Sequence, residues 1–114
     1  MVGFETAKRL KEAGFVINKV SGDQFWYNIK VPKAKARTDV YRIHPPNRLF
    51  APTAIDILEQ LPVGTIIERT ESGFISGIPA FWGDTLDGYM AQAEHDNPAE
   101  AVAVVWLHLN EPLN

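Results

Sequence analysis

The chain contains no cysteine, which excludes disulfide scaffolds, thiolate zinc sites and cysteine nucleophiles and fits a reducing compartment. Long apolar runs are missing too. The longest, Ala101 to Leu107, is far too short to span a bilayer. The opening Met1-Val2-Gly3-Phe4-Glu5-Thr6 carries an acid early and no apolar stretch of signal-peptide length. The expected address is the cytoplasm, with neither export nor membrane insertion. Positive charge is almost absent from the second half: residues 49–114 hold one Arg, Arg69, against ten Asp/Glu, a net of −9. Residues 1–48 hold ten Lys/Arg against four Asp/Glu, a net of +6, so the overall −3 conceals a polarity. Such asymmetry either marks a nucleic-acid footprint or is partly cancelled when the fold sets the two halves against each other.

Recognisable catalytic constellations are lacking as well. His44, His95 and His108 lie far apart, and none forms a His-x-x-x-His or His-x-x-Glu pair. His95 sits between Glu94 and Asp96, but neighbours on a strand point to opposite faces, which suits a solvated loop end better than a chelate. Asp84 and Asp87 have no third partner and read as turn residues. Ser21, Ser72 and Ser76 each adjoin a glycine without forming Gly-x-Ser-x-Gly, and Gly73-x-x-x-Gly77 lacks the lysine of a phosphate loop. Neither a metal, a cofactor nor an enzymatic activity is expected. An enzyme would require Asp84, Asp87 and His95 to converge in a concave site.

What the chain does have is 114 residues of ordinary globular composition, 46% hydrophobic and 22% charged, which suits one domain spanning 1–114. Asn97-Pro98-Ala99-Glu100 starts a helix. Asn97 is placed to accept from the Glu100 N–H, Pro98 suits the first helical position, and Glu100 can reach back to the cap. Ala99, Val102, Ala103, Trp106 and Leu107 form one face, and Ala101, Val104 and Val105 make the opposite face apolar too, so this helix needs cover on most sides. Phe4 to Ala13 reads as an opening helix with Ala7, Leu10 and Ala13 at i+3 spacing and Gly14 as its left-handed stop. Thr53 is placed to cap a short helix with Asp56, with Ile55, Leu58 and Leu61 as its buried stripe and Pro62 as its end. Gln24 to Ile29 and Val40 to His44 alternate and read as a hairpin with a long basic tip. Thr65–Arg69 and Gly73–Ile78 form a second hairpin around Thr70-Glu71-Ser72, and Gly88–His95 adds a further strand. The expected fold is α+β: an antiparallel sheet of about five strands packed by three helices, with the C-terminal helix central.

Three segments in order, Ala7-Lys8-Arg9-Leu10-Lys11-Glu12-Ala13-Gly14-Phe15, Phe50-Ala51-Pro52-Thr53 leading into Ile57-Leu58-Glu59-Gln60-Leu61-Pro62, and Pro98-Ala99-Glu100-Ala101-Val102-Ala103 with Trp106-Leu107-His108-Leu109, resemble a group of small uncharacterised proteins common in phages and prophages, especially of gut Bacteroidetes. That resemblance implies an intracellular accessory protein and transfers no catalytic residues. The segment Ala80 to Asp87 is longer and more aromatic than in that group. Ile75-Ser76-Gly77-Ile78-Pro79 with Gly83-Asp84-Thr85 and Glu100-Ala101 resembles the partial ribonuclease-H-like fold of HicB-type antitoxins. There the helix directly follows the Gly-Asp-Thr element, whereas here Gly88 and Tyr89 intervene and the helix cap comes at Asn97.

Two recognition surfaces stand out. Phe81 and Trp82, in the irregular stretch from Pro79 to Asp87, are candidates for exposure. With Val104 and Val105 on the surplus apolar face of the last helix they suggest protein binding, and that helix surplus also suggests a homodimer. The other surface is the basic hairpin 30–48, where Lys33, Lys35, Arg37, Arg42 and Arg48 accompany Trp26, Tyr27 and Tyr41, the mixture of charge and stackable rings used by single-strand binders. The competing reading of that hairpin is a solvated tip that protects a sheet edge.

Overall fold

The computed structural model describes residues 1–17, 22–82 and 84–111, and of Trp82 the backbone alone. Helix α1 spans Phe4–Glu12 with Ala7 and Leu10 buried. It ends in a Schellman motif: Gly14 takes φ +95°, its N–H donates to the Lys11 carbonyl, and the Phe15 N–H donates to that of Leu10. Phe15 is thereby turned back into the core, edge-on to Trp106 at 5.2 Å and stacked with Phe50 at 6.3 Å.

Strand β1 (Phe25–Asn28) pairs antiparallel with β2 (Arg48–Ala51), placing Trp26 opposite Phe50 and Tyr27 opposite Leu49. The expected partner Val40–His44 is not a strand; Val40–Arg42 is a 3₁₀ turn, followed by a second at Pro45–Asn47. The buried residues of this segment, Val40 and Ile43, are spaced by three, and both pack on Trp26. A one-turn helix can place such a pair on one side and a strand cannot. Thr53 then opens helix α2 (Ala54–Leu58) with a complete capping box, the Thr53 N–H donating to Asp56 at 2.8 Å and the Asp56 N–H to Thr53 Oγ1 at 3.3 Å. Ile57 is buried within it and Leu61 just beyond its end, whereas of the residues expected inside Leu58 is half-buried and Ile55 faces solvent.

Strands β3 (Ile66–Thr70), β4 (Gly73–Trp82) and β5 (Thr85–His95) form an antiparallel meander in that spatial order. The described residues therefore form two sheets, of two and three strands, instead of a single five-stranded one. Each sheet has its own helical cover. Tyr27 and Leu49 turn toward α1, and Ile67, Ile78, Ala91 and Ala93 turn toward helix α3 (Pro98–Asn110), which packs on both β4 and β5.

The cap of α3 differs in one respect from the local pattern. Asn97 Oδ1 accepts from the Ala99 N–H at 2.9 Å, not from Glu100. The Asn97 N–H is already donated to His95 Nδ1 at 3.0 Å, so Glu100 has no donor to reach back for. Its carboxylate instead accepts from the Gly3 N–H at 2.7 Å and from Thr6 Oγ1 at 2.5 Å, closing the N-terminus of α1. Asn97 Nδ2 adds a bond to the Met1 carbonyl. Burial raises the Tyr27 pKa, and the nearby Glu100 carboxylate raises it further; the Tyr27 hydroxyl donates to the Val2 carbonyl.

The apolar surplus of α3 is consumed inside the chain. Ala101, Val102, Ala103, Val105, Trp106 and Leu107 are all buried, because α2 and α1 cover the sides that the sheet does not. Val105 is thus a core residue and no interaction surface, and the homodimer cannot rest on Ala101 and Val105. Val104 alone of the proposed apolar face stays partly open.

Candidate functional site

The β4–β5 hairpin outgrows its cover. Eleven strand residues extend about 36 Å, whereas the thirteen residues of α3 extend only about 20 Å. The chain turns back at Asp96–Asn97, so α3 runs along β5 from His95 and ends beside Tyr89 and Met90, where His108 and Leu109 line a shared hollow with them. Beyond that point no described residue covers the hairpin, and residues 85–90 are all exposed. Pro79 brings no N–H to the ladder, the register slips on both sides of it, and Gly88 takes φ +97°. This end carries Phe81, 61% exposed, paired with the half-exposed Leu86, and Met90, 70% exposed. Tyr89 is seated over Gly77, where an added Cβ would come within 2.8 Å of its ring. Phe81 is exposed as its position in the sequence suggested. The Trp82 side chain lies outside the described part of the structure. No Lys or Arg occurs after Arg69, so the rim of this apolar strip is acidic, with Asp84 and Asp87.

The basic segment is organised differently from the hairpin expected of it. Trp26 is 5% exposed, packed on Phe50 at 5.1 Å and on Val40 and Ile43, so it offers no stacking face. Arg37 forms a bidentate pair with Asp39 at 2.7 and 2.6 Å, and Arg42 reaches the same carboxylate at 3.3 Å. The Arg37 hydrogen bond holds Asp39 below the usual carboxylate range, and Asp39 raises Arg37 in return. Two of the expected phosphate contacts are therefore already partly neutralised. Arg48 donates to the Ile43 carbonyl at 2.9 Å and lays its guanidinium over the Tyr41 ring at 5.6 Å. Lys33 and Lys35 are exposed and form no ion pair among the described residues. The fold also brings in what the linear sequence hides. Lys11 of α1 lines a hollow of about 390 Å³ together with Arg48, and Lys8 and Lys11 line another beside Ile29.

Asp84, Asp87 and His95 do not converge. Asp87 and His95 stand eight residues apart on β5, about 26 Å at the rise of a strand, and His95 serves the turn before α3. No group of three His, Asp or Glu among the described residues is arranged to hold a metal ion, and no helix among them is long and apolar enough to cross a membrane. No family model, curated protein or solved structure matches the chain.

Proposed function

We propose that the protein is a non-enzymatic interaction module that binds another protein through the projecting end of the β4–β5 hairpin, in the accessory role that its phage- and prophage-like segments suggest. The observation that carries this reading is the uncovered strip of Phe81, Leu86 and Met90. A soluble surface rarely gathers large apolar groups on a projection without a partner for them. The acidic rim asks for a partner whose apolar groove is bordered by basic groups. Anchors of this kind carry 2 kcal/mol or more of binding energy, roughly a 30-fold change in affinity. Affinity capture from the native host, followed by mass spectrometry, should recover a partner with the wild-type chain and lose it with Phe81→Ser/Met90→Ser. Identical recovery by both chains would refute the hairpin as the binding element.

One observation favours a second reading, single-stranded nucleic-acid binding on the basic segment. Tyr41 is 76% exposed with Arg48 beside its ring, and it supplies the stacking face that the buried Trp26 does not. Lys33 and Lys35 would neutralise phosphates. Counterion release then requires that Lys33→Ala/Lys35→Ala reduce the slope of log affinity against log salt by about 1.4 for a single strand. A labelled oligonucleotide that shows no anisotropy change at low salt and micromolar protein removes this reading.

A further inference from the structure

We infer that β5 pairs with β5 of a second copy of this chain, joining two meanders into one six-stranded sheet; this goes beyond the protein-binding reading and does not depend on it. Among the described residues β5 is bonded to β4 on one side only, and its outer edge presents a row of backbone donors and acceptors that no described strand pairs. Such edges are ordinarily blunted by Lys, Pro or a bulge. From Ala91 to His95 β5 has neither Lys nor Pro, and its register with β4 is unbroken from Ile78 opposite Ala91 to Phe74 opposite His95. The irregularity that disturbs the hairpin lies beyond this stretch.

An antiparallel two-fold pairing that uses the whole regular stretch centres on Ala93. Ala91 then faces the partner's His95, and Gln92 faces the partner's Glu94. The two small Ala93 side chains meet at the axis on the side of the sheet that carries α3. No acid is set directly against an acid, although this half of the chain is acidic, and directly opposed like charges are what such a pairing must avoid.

The choice of a second copy over a foreign strand comes from α3. The helix lies across β4 and β5, so its twin would stand about two strand spacings away, roughly 10 Å, which is an ordinary distance between packed helices. His108 faces the β5 side of the helix, in the hollow it shares with Met90 and Gln92. Val104 lies one turn before it on the same face. Two strand residues from His95 to Ala93 cover about 7 Å, and six helical residues from Pro98 to Val104 about 9 Å. Val104, the one partly open apolar position on that face, therefore stands nearly level with the axis and opposite its own copy. A lone peptide strand would complete the ladder and leave Val104 uncovered.

Sedimentation of the full chain from micromolar to near-millimolar concentration should show a species of twice the 12.7 kDa chain mass. Gln92, exposed and opposite Gly77 within the chain, permits substitutions that leave the core untouched. Gln92→Glu places two acid pairs across the interface and should weaken the dimer roughly threefold or more, while Gln92→Lys creates two Lys–Glu pairs and should tighten it by a similar factor. Gln92→Glu/Glu94→Lys, which restores opposite charges in this register alone, should recover the wild-type constant. A monomer throughout the range overturns the proposal, and so does a dimer that both Gln92 substitutions weaken or neither shifts.

Discussion

Trp106→Ala is expected to lower stability by about 3–5 kcal/mol, the cost of truncating a large aromatic ring in a well-packed core. The ring is 5% exposed, stands edge-on to Phe15 and belongs to the cluster shared by Leu10, Leu49, Ile57 and Val102. Its removal opens a cavity where α1, α2 and α3 meet, and none of the three can shift without disturbing the others. A domain of this size has on the order of 5–15 kcal/mol in total, so the variant should remain folded with a much lower denaturation midpoint. Urea unfolding of the two chains measures the difference, and an unchanged m-value would show that the same surface is exposed in both. Trp106→Phe keeps the edge contact with Phe15 and should lose less than half as much. A loss below 1 kcal/mol for the alanine variant would place α3 outside the core and contradict the architecture.

Signals confined to a few neighbouring residues proved readable in this chain, and those that depend on distant partners did not. Gly14 behind Ala13, Thr53 with Asp56, and Asn97 before Pro98 each mark a helix end because their hydrogen bonds close within five residues. The β3–β4 hairpin was legible for the same reason. Val40 to His44 misleads because five alternating residues contain an equally good period of three, Val40 and Ile43. Only the position of Trp26 decides between them, and Trp26 is fourteen residues away. The same burial removes Trp26 from the candidate nucleic-acid surface and leaves Tyr41 in its place.

The apolar surplus of α3 was visible, but what would cover it was not. A helix that is apolar on nearly all sides is compatible with a dimer core or with enclosure by its own chain. The structure encloses it, through α2 and α1, and of the residues Ala99 to Leu107 that make up the surplus leaves Val104 as the large apolar one near the surface. The exposure of Phe81 was legible from the turn-forming residues around it, but the stretch from Pro79 to Asp87 that reads as irregular is largely strand, with Phe81 in β4 opposite Leu86 in β5. Its projection was not legible, since it arises from the difference in length between a strand pair and a shorter helix. The opposite charges of the two halves stay apart in much the same way. Among the described residues one ion pair, Arg9 with Glu111, joins them, so the acidic hairpin and the basic segment remain separate surfaces.

Glu100→Ala is expected to cost about 2–3 kcal/mol, more than a partly exposed glutamate on a helix ordinarily would. Its carboxylate is the acceptor for the Gly3 N–H and the Thr6 hydroxyl, and bonds to a charged acceptor are each worth more than neutral ones. Gly3 is the N-cap residue of α1 and has no side chain with which to cap it; Glu100 accepts the Gly3 N–H from 97 residues away, the donor that a glutamate at the third helical position, here Thr6, would accept in a capping box. A negative charge at that position also suits the positive end of the helix. Removing it leaves two donors without an acceptor in a half-buried setting and loosens α1 from α3. The loss should therefore be uneven: amide hydrogen exchange should accelerate in residues 4–10 well before it does in β4. Glu100→Gln retains an acceptor oxygen without the charge and should cost roughly half as much. Thr6→Ala in the Glu100→Ala background should add little, because the partner of its hydroxyl is already gone. Equal and additive losses from the two substitutions would mean that Glu100 acts on α1 by some route other than this pair of bonds.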